Sequence, residues 1–440
     1  MHLQTQIIAQ KGFAMRCDET CELDGATDLI ALNQSCFCMT LGRAELDAAI
    51  LEHAGNHELG ALLAARPNLF AATAVFVSPA DLAAMQAQVA AIEAVAALAP
   101  FQDAALARSG DRITGVQTGT RGLFMGYDFH ISEDGPKLIE VNTNAGGAFL
   151  VNALQRAVAE LAVACGDARL TSSDAIDTLL VESFIAEWQA AGREGGPNTV
   201  AIVDEDASEQ YLYPDMLLAR DLLTRNGIET LILGPEALTF ENGVLTSGGK
   251  TIDMVYNRLT DFDLSEPGNA HLRAALLEDA AIVSPAPRHH ALYADKQNLI
   301  WLSDADLLES WSADAAHRAA LSKIPGTRRV TEDVADELWT DRRGYFFKPA
   351  AGFGSRATYR GDKLTKRVWA DILAGNYIAQ ALIAPTMRAV TVAGQRITLK
   401  YDVRLYTYAG ETLLLAARVY QGQTTNFRTS GGGFAPVYQF

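Results

Sequence analysis

The stretch 121–150, RGLFMGYDFHISEDGPKLIEVNTNAGGAFL, contains the pattern that decides the fold. Two short segments within it, 124–131 and 137–142, alternate between apolar and polar residues. A turn signal at Glu133-Asp134-Gly135 separates them. Alternation with a period of two on both sides of a glycine-containing turn is typical of a β-hairpin. The sequence therefore predicts two paired strands here.

Three oxygen-bearing side chains in this hairpin form a candidate metal site. Glu140 and Asn142 are two residues apart, so on a strand they project from the same face. If the two strands pair, Asp128 reaches that face as well. Carboxylate and amide oxygens suit Mg²⁺, which proteins hold through a few oxygens together with nucleotide phosphates. The alternative is a solvated hairpin with polar edges. The small residues at 145–147, followed by a helix start whose amides can meet an anion, favour the metal site.

A second stretch, RGYFFKPAAGFGSRATYRG at 343–361, places a lysine and a glycine loop after a strand. The loop 352–357, GFGSRA, matches G-x-G-x-x-A, but that dinucleotide fingerprint requires a helix after the loop. Strand and turn residues follow here, so we reject a dinucleotide-binding Rossmann unit. A glycine loop between two strands can instead fold over phosphates, and Lys348 supplies a positive charge for a phosphate oxygen.

Basic residues accumulate near the end of the chain. In the segment 397–408, ITLKYDVRLYTY, charged residues alternate with apolar ones, and Arg404 lies on the charged face. Arg418 and Arg428 follow before the glycines at 431–433. An ordinary solvent-facing strand shows the same alternation. Several cations beside glycine-rich backbone in an acidic protein nevertheless predict an anion pocket.

Composition bounds the class of protein. The chain has 440 residues, is 49% hydrophobic and 20% charged, and carries a net charge of −17. Nucleic acids and anionic membranes both attract basic faces, so this charge predicts neither partner. No stretch is apolar enough for a membrane span, and the first residues lack the apolar core of a signal peptide, so we expect a cytoplasmic protein. We expect reduced thiols, rather than disulfides or a zinc site, at Cys17, Cys21, Cys36, Cys38 and Cys165.

An alternation of strands and helices in the middle of the chain predicts a separate domain. Strands at 199–204, 229–234 and 251–259, with a helix at 214–227, suggest a small parallel sheet with covering helices. Arg258 lies near the carboxyl end of the last strand, which is a reasonable place for a substrate anchor. The predicted segments are a mostly helical region at 1–120, a metal-binding part at 121–195, an α/β substrate domain at 196–290 and a nucleotide-binding part with a glycine-rich lid at 291–440.

Together, IEVNTNAGG, the unit ending in VYNR, ALYADKQ and KPAAGFGSR resemble the ATP-grasp superfamily of carboxylate–amine ligases. In that family an aspartate and a Glu-x-Asn set hold magnesium, and Asp128 with Glu140-Val141-Asn142 is similar to this set. Here the set precedes the Lys348 loop, an order that resembles the circularly permuted branch of eukaryotic glutathione synthetase and glutathionylspermidine synthetase. The resemblance covers approximately residues 120–440. It implies an α/β (α+β) fold, with an ATP-grasp core beside a small parallel α/β substrate domain.

The resemblance also implies roles for individual residues. The implied nucleotide-binding set is Lys296, Lys348, Gly352, Gly354, Ser355, Gln380, Ala381 and Leu382, the last three as the adenine hinge. The implied substrate set is Arg258, Asn144 and Gly146, and the implied catalytic arginines are Arg404, Arg418 and Arg428. Glutathione synthetase has a lid glutamate where this chain has Gly352, and its SASFGG-like stretch is TNAGGAFL here. Glutathione itself is therefore not implied.

These observations predict an ATP-dependent ligase that uses Mg²⁺, or Mn²⁺ in its place. A carboxylate of a small amino acid or peptide-like substrate would attack the γ-phosphate, and an amine or thiol would displace phosphate from the acyl phosphate. Two alternatives stay open. One is phosphate transfer to a hydroxyl, and the other is a non-catalytic nucleotide-binding or peptide-modification partner protein. A homodimer is also left open.

Overall fold

A six-stranded antiparallel sheet, here called the central sheet, carries the predicted hairpin. The computed structural model describes residues 29–35, 43–54, 57–162, 173–352, 354 and 357–439. The five cysteines and Ser355 lie outside these residues. The central sheet contains, in spatial order, Gly433–Ala435, Glu411–Tyr420, Gln395–Tyr408, Met125–Ser132 and Gly135–Asn142, and Thr386–Val392 also pairs with Gln395–Tyr408. The predicted hairpin is confirmed, and the sheet joins it to strands from the last third of the chain.

The two faces of the central sheet have different roles. On Met125–Ser132, alternate side chains such as Tyr127 and Phe129 enter an apolar core that also contains Val89 and Phe101 from helices outside the sheet. The intervening side chains, Asp128 among them, face the opposite way and line a cleft. The period-two alternation of a strand thus separates structural side chains from the polar ones.

Helices cover the apolar face. Pro79–Ala96 begins at Ser78, whose hydroxyl accepts a hydrogen bond from the Asp81 amide, as expected for an N-cap followed by proline. The described helices before the hairpin are Leu29–Ser35, Arg43–Ala54, His57–Ala64, Pro79–Ala96 and Ala99–Ser109. Ala148–Ala162 and Ser173–Ala190 follow the hairpin. A short parallel pair, Val75–Val77 with Val437–Gln439, joins the early part of the chain to its end.

A four-stranded parallel sheet forms the second unit. Its strands, in spatial order, are Ile282–Ser284, Met254–Asn257, Thr199–Val203 and Glu229–Leu233. Helices Tyr213–Arg225 and Ala270–Leu277 accompany these strands, which confirms the predicted α/β unit. The predicted strand at 251–259 is shorter in the sheet, because residues 250–251 belong to a small antiparallel sheet made of Thr239–Glu241, Val244–Ser247 and Lys250–Thr251.

A third sheet faces the cleft from the other side. It contains Thr327–Arg329, Tyr377–Ala381, Tyr345–Pro349 and Tyr359–Arg360, all antiparallel, and helix Lys366–Ala374 accompanies it. Short helices lead into it: Pro287–His289, the π-helical turn His290–Ala294, Asn298–Leu302, Ala305–Ser310, Ala315–Leu321 and Ala335–Thr340. The cleft therefore lies between two antiparallel sheets. Among the described helices, none alone has the length and apolar character to cross a membrane, and one pair bent by 76° meets that test by length and composition only.

A buried carboxylate ties several of these elements together. Glu187, on helix Ser173–Ala190, is fully buried. It accepts backbone hydrogen bonds from Arg121 and Gly122, each at 2.8 Å, at the entry to the hairpin. It also accepts hydrogen bonds from the hydroxyls of Ser284, in the parallel sheet, and Tyr408, in the central sheet. One side chain thus links the parallel sheet, the central sheet and the segment that enters the hairpin.

Replacing Glu187 by alanine is therefore expected to destabilise the fold. One buried and one partly buried backbone N–H group lose their acceptor, which costs roughly 3 kcal/mol in total. The urea midpoint of unfolding should fall accordingly, while the exposed Glu182→Ala on the same helix should leave it unchanged. Equal midpoints for the two variants would show that Glu187 contributes nothing to this junction.

Candidate active site

The cleft between the central sheet and the third sheet brings the predicted residues together. It spans about 980 Å³ including its open mouth. Asp128, Glu140 and Asn142 line it from the hairpin, and Lys296 and Lys348 line it from the later part of the chain. The oxygen donors and the cations, some two hundred residues apart in sequence, thus face one another across a single cavity.

Strand register explains why the charged side chains meet. Glu140 lies opposite Asp128, and Asp128 lies opposite Arg404 on the next strand. One strand further on, Asp402 lies opposite Arg418. Residues directly opposite each other on neighbouring strands have their Cβ atoms about 5 Å apart, which is within reach of ion pairing. The register thus assembles a ladder of alternating charge on the cleft face.

Asp128 is the centre of this ladder. Its side chain is 1% exposed and accepts two hydrogen bonds from Arg404, at 2.6 and 2.7 Å. Arg418 adds a contact of 2.8 Å, and the amide nitrogen of Asn142 donates to the same carboxylate at 3.0 Å. Arg418 also donates to Asp402 at 2.7 Å. Asp128 therefore orients two arginines, a role that sequence reasoning did not assign to it.

Glu140 and Asn142 fit the chemistry of a magnesium site. Burial alone would raise the pKa of Glu140, but Lys296, Lys348 and Arg418 lower it to about 2, so the carboxylate is ionised at neutral pH. The side-chain nitrogen of Asn142 donates to Asp128 and Glu140, which leaves its oxygen as the atom for a cation. No group of three His, Cys, Asp or Glu side chains in the described ranges could hold a metal alone. Such a sparse set suits Mg²⁺, which keeps waters and phosphate oxygens as further ligands.

A β-bulge in the hairpin positions Lys348. The residues opposite the consecutive pair Asp128 and Phe129 are Glu140 and Leu138, so Ile139 is extra. A bulged residue is left out of the regular ladder. The Lys348 ammonium donates to the Ile139 carbonyl at 3.0 Å and to the Gln380 side-chain oxygen at 2.8 Å. Burial lowers the pKa of Lys348 to about 8, although the Glu140 carboxylate opposes this effect.

The other nucleotide-binding candidates lie around the same cleft. The Lys296 ammonium donates to the Gly352 carbonyl at 2.9 Å and lies 4.0 Å from Glu140. Gly352 and Gly354 line the cavity, as the lid prediction requires. Gln380, Ala381 and Leu382 line it as well, on the edge where the hinge was expected. The amides of Ala381 and Leu382 already donate to the carbonyls of Gly326 and Gly344.

A second cavity opens beside the cleft and shares Glu140, Asn142, Lys296 and Arg418 with it. This cavity, here called the substrate cavity, encloses about 2680 Å³ including its mouth. The predicted substrate residues Arg258, Asn144 and Gly146 line it, together with Arg404 and Arg428. Arg428 is exposed at the rim and lies outside the Asp128 cluster, so the structure groups only two of the three predicted catalytic arginines around Asp128.

Arg258 is held in a close-packed position. Its side chain is 9% exposed, and its buried Nε atom has no hydrogen-bond partner among the described residues. A Cβ atom at Gly146 would lie 2.6 Å from Arg258 Nη2, so a larger residue there would require the guanidinium to move. Asn144 is anchored nearby by a 2.7 Å hydrogen bond to the Leu259 carbonyl. The guanidinium thus reaches the cavity with hydrogen-bonding capacity left over.

Asp204 is a candidate that sequence reasoning missed. It directly follows strand Thr199–Val203. In the sheet, this strand has Glu229–Leu233 on one side and Met254–Asn257, the strand that leads to Arg258, on the other. Ligands of parallel α/β sheets bind outside the carboxyl ends of strands at such a switch point. Burial raises the pKa of Asp204 to about 6, although Arg258 opposes the effect. The signal available in the sequence was an acid directly after a buried strand.

The helix start after the hairpin meets an anion from the protein itself. The amides of Gly147 and Leu150 donate to the buried carboxylate of Asp215, at 2.9 and 3.0 Å. Asp215 belongs to helix Tyr213–Arg225, beside the parallel sheet. The amides predicted to bind an anion are therefore occupied by Asp215. This carboxylate caps the helix and joins it to the helix beside the parallel sheet.

Similarity to solved structures agrees with this architecture. A glutathione synthetase-like effector from Globodera pallida superposes with a TM-score of 0.54 at 12% identity, covering 91% of this chain and 98% of that one. A putative gamma-glutamylcysteine synthetase from Methylobacillus flagellatus KT gives 0.44 at 10% identity, covering 78% and 84%. D-alanyl-alanine synthetase A from Vibrio cholerae gives 0.28 at 12% identity, covering 52% and 89%.

The chain therefore shares its overall fold with the glutathione synthetase-like effector. No protein-family model matches the sequence, and no curated protein sequence matches it. At such low identity the superposition defines the fold and leaves the reaction to be argued from the site.

The Asp128 cluster predicts a specific pattern of stability. Asp128→Ala leaves Arg404 buried without a carboxylate, which costs about 3–5 kcal/mol. The double variant Asp128→Leu/Arg404→Met removes both charges, and we expect it to recover most of that loss. The urea midpoints of the single and double variants measure the difference. A double variant no more stable than Asp128→Ala would mean that the lost stability does not come from an unpaired charge.

Proposed function

We propose that the protein is an ATP- and Mg²⁺-dependent ligase that joins a carboxylate to an amine or thiol through an acyl phosphate. The observation that carries this proposal is the continuity of the two cavities. Glu140, Lys296 and Arg418 belong to the wall of both, so a nucleotide in one and a carboxylate in the other would meet at these residues. Fold similarity supports nucleotide binding in the cleft. The charged groups at the junction of the two cavities support transfer of a phosphoryl group to the substrate.

In the cleft, the chain's own side chains supply most of what a triphosphate needs. Lys296 and Lys348 provide two buried ammonium groups, and Glu140 and Asn142 provide oxygens for a cation. A bound Mg²⁺, or Mn²⁺, would screen the charge of the phosphates. The Gly352 carbonyl lies beside Lys296. A glycine loop that covers the phosphates from this position would exclude water from the acyl phosphate, whose hydrolysis would waste the nucleotide.

At the junction, Arg404 and Arg418 would hold the transferring phosphoryl group. Both are fixed by Asp128, so they need little reorganisation when negative charge develops on the equatorial oxygens. The substrate carboxylate would attack the γ-phosphorus, with ADP as the leaving group. The amine or thiol would then attack the acyl carbon and release phosphate. Positioning and charge stabilisation are sufficient for these steps, without a protein nucleophile.

The substrate cavity fits a molecule that carries both charges of an amino acid. Arg258 offers a guanidinium with an unpartnered Nε, and Asp204 offers a carboxylate whose raised pKa a nearby ammonium would lower. No hydrogen bond joins these two side chains in the described residues, although both line the same cavity. A substrate with an ammonium and a carboxylate, such as an amino acid or a short peptide, would bridge them.

Glu140→Gln tests the nucleotide site. The amide keeps the shape but removes the ionised oxygen, so Mg²⁺-dependent ADP release should fall roughly 100-fold or more. The assay is ADP release with Mg²⁺ across amino acids, small peptides, polyamines and thiols. The matched control, Glu133→Gln in the exposed hairpin turn, should retain full turnover. Full activity in Glu140→Gln would contradict the proposal, and release that depends on a hydroxyl acceptor would indicate phosphotransfer instead.

The Asp204 carboxylate predicts a pH dependence. It is ionised above its pKa of about 6 and becomes neutral as the pH falls through that value. The KM for the ammonium-bearing substrate should therefore rise about tenfold between pH 7 and pH 5. Asp204→Asn should have the higher KM at both pH values, and the exposed Asp206→Asn should behave as the wild type. A KM that is flat from pH 7 to pH 5 in the wild type would remove Asp204 from substrate binding.

A further inference from the structure

A third cavity lies on the apolar side of the central sheet, apart from the cleft and the substrate cavity. This rear cavity spans about 900 Å³ including its open mouth and shares no lining residue with the other two. Its wall combines Glu93, Tyr293 and Arg288 with residues 117–121, which lead into the hairpin. Glu93 is also bonded by the hydroxyl of Tyr127, which lies on the face of its strand opposite Asp128. Nothing in the proposed ligase mechanism uses these groups.

Most polar groups around the rear cavity already have partners. The two oxygens of Glu93 accept hydrogen bonds from the hydroxyls of Tyr127 and Tyr293, both at 2.8 Å. The neutral ring of His289 donates to the Thr120 carbonyl and accepts from the Ala286 amide, both at 2.9 Å. The hydroxyls of Thr118 and Thr120 bond to each other. These groups form a satisfied frame rather than a second acidic or metal-binding site.

Arg288 is the exception in this frame. Its Nη2 donates to the side-chain oxygen of Gln102 at 2.7 Å, but its Nη1 is buried and has no hydrogen-bond partner among the described residues. Burial lowers the pKa of Arg288, and the group that opposes this effect is the Tyr293 hydroxyl rather than a carboxylate. Leaving a charged donor unpaired inside a protein is costly, so this guanidinium favours a ligand that supplies negative charge.

A second guanidinium lies at the same cavity. Arg121 has an exposed side chain on the cavity wall, and its backbone is fixed by the hydrogen bond to Glu187. Burial raises the pKa of Glu93 and of Tyr293, and Arg121 is among the groups that oppose this shift in both, which places it close to both. The wall carries two arginines and one carboxylate, Glu93, whose oxygens already accept from tyrosine hydroxyls. The rear cavity therefore has a net positive charge, although the chain as a whole carries −17.

We propose that the rear cavity binds a small oxyanion, with Arg288 and Arg121 as its cationic ligands. Guanidinium groups form paired, charge-assisted hydrogen bonds with carboxylate and phosphoryl oxygens, and both arginines line this cavity. Carboxylates and phosphates share this chemistry. The size of the cavity allows an organic anion rather than an inorganic ion alone.

The position of the rear cavity links it to the active site. The π-helical turn His290–Ala294 carries Tyr293 into the rear cavity and His290 into the substrate cavity. Lys296 follows two residues later and reaches the nucleotide cleft. A molecule in the rear cavity would therefore contact the segment that places Lys296, which suits a regulatory ligand better than a second substrate.

Isothermal titration of the full chain with malonate and, separately, with inorganic phosphate at low salt tests the proposal. We expect one of them to bind, with Kd at least about tenfold higher in Arg288→Gln and in Arg121→Gln. Arg288→Lys, which keeps the charge but loses the planar donor pair, should bind with intermediate affinity. The exposed Arg343→Gln and the cleft variant Lys348→Met should bind as the wild type does.

The two probes distinguish a carboxylate ligand from a phosphoryl ligand. If neither malonate nor phosphate binds to the wild type, the proposal is wrong. It is also wrong if the probe binds to Arg288→Gln as tightly as to the wild type. Loss of binding in Lys348→Met would place the anion in the nucleotide cleft and would likewise overturn it. These titrations need no turnover, so their result is independent of whether the ligase activity is found.

Discussion

The pairing of Asp128 with two arginines is the interaction on which the cleft depends. Two guanidinium groups in a nearly dry site are tolerated only when a carboxylate compensates their charge and fixes their direction. Asp128 does so for Arg404 and shares Arg418 with Asp402. Since these residues lie on neighbouring strands, the same contacts also fix how the early hairpin joins the late strands. Sheet register and site electrostatics are therefore one constraint.

The distribution of charge over the molecule follows a simple division. The surface is acidic overall, while the described cavities gather lysines and arginines at their walls. Burial and cationic neighbours then shift the pKa values of the carboxylates in these cavities in different directions. Glu140 is kept ionised by three cations, whereas Asp204, facing a single arginine, has a raised pKa. Two carboxylates of similar intrinsic acidity are thereby suited to different partners, a metal ion in one case and an ammonium group in the other.

Local patterns made much of the site predictable from sequence. Alternation and turn chemistry gave the hairpin, and the fixed spacing of Asp128, Glu140 and Asn142 pointed to one face. The partners of these residues could not be predicted from the sequence in the same way. Arg404 is opposite Asp128 only through the register of strands far apart in the chain, which no local pattern encodes. The capping of Gly147 by Asp215, from a separate helix, is of the same kind.

The bulge at Ile139 has a consequence for how this strand can change. Leu138 and Val141 are core residues, while Ile139, Glu140 and Asn142 line the cleft, an order that strict alternation cannot produce. Deleting Ile139 would restore regular pairing and leave Glu140 and Asn142 on the cleft face, but it would remove the carbonyl to which Lys348 donates. A one-residue slip in the register of the whole strand, by contrast, would turn Glu140 and Asn142 into the apolar interior, so substitutions can alter the cleft gradually whereas a shift of register cannot.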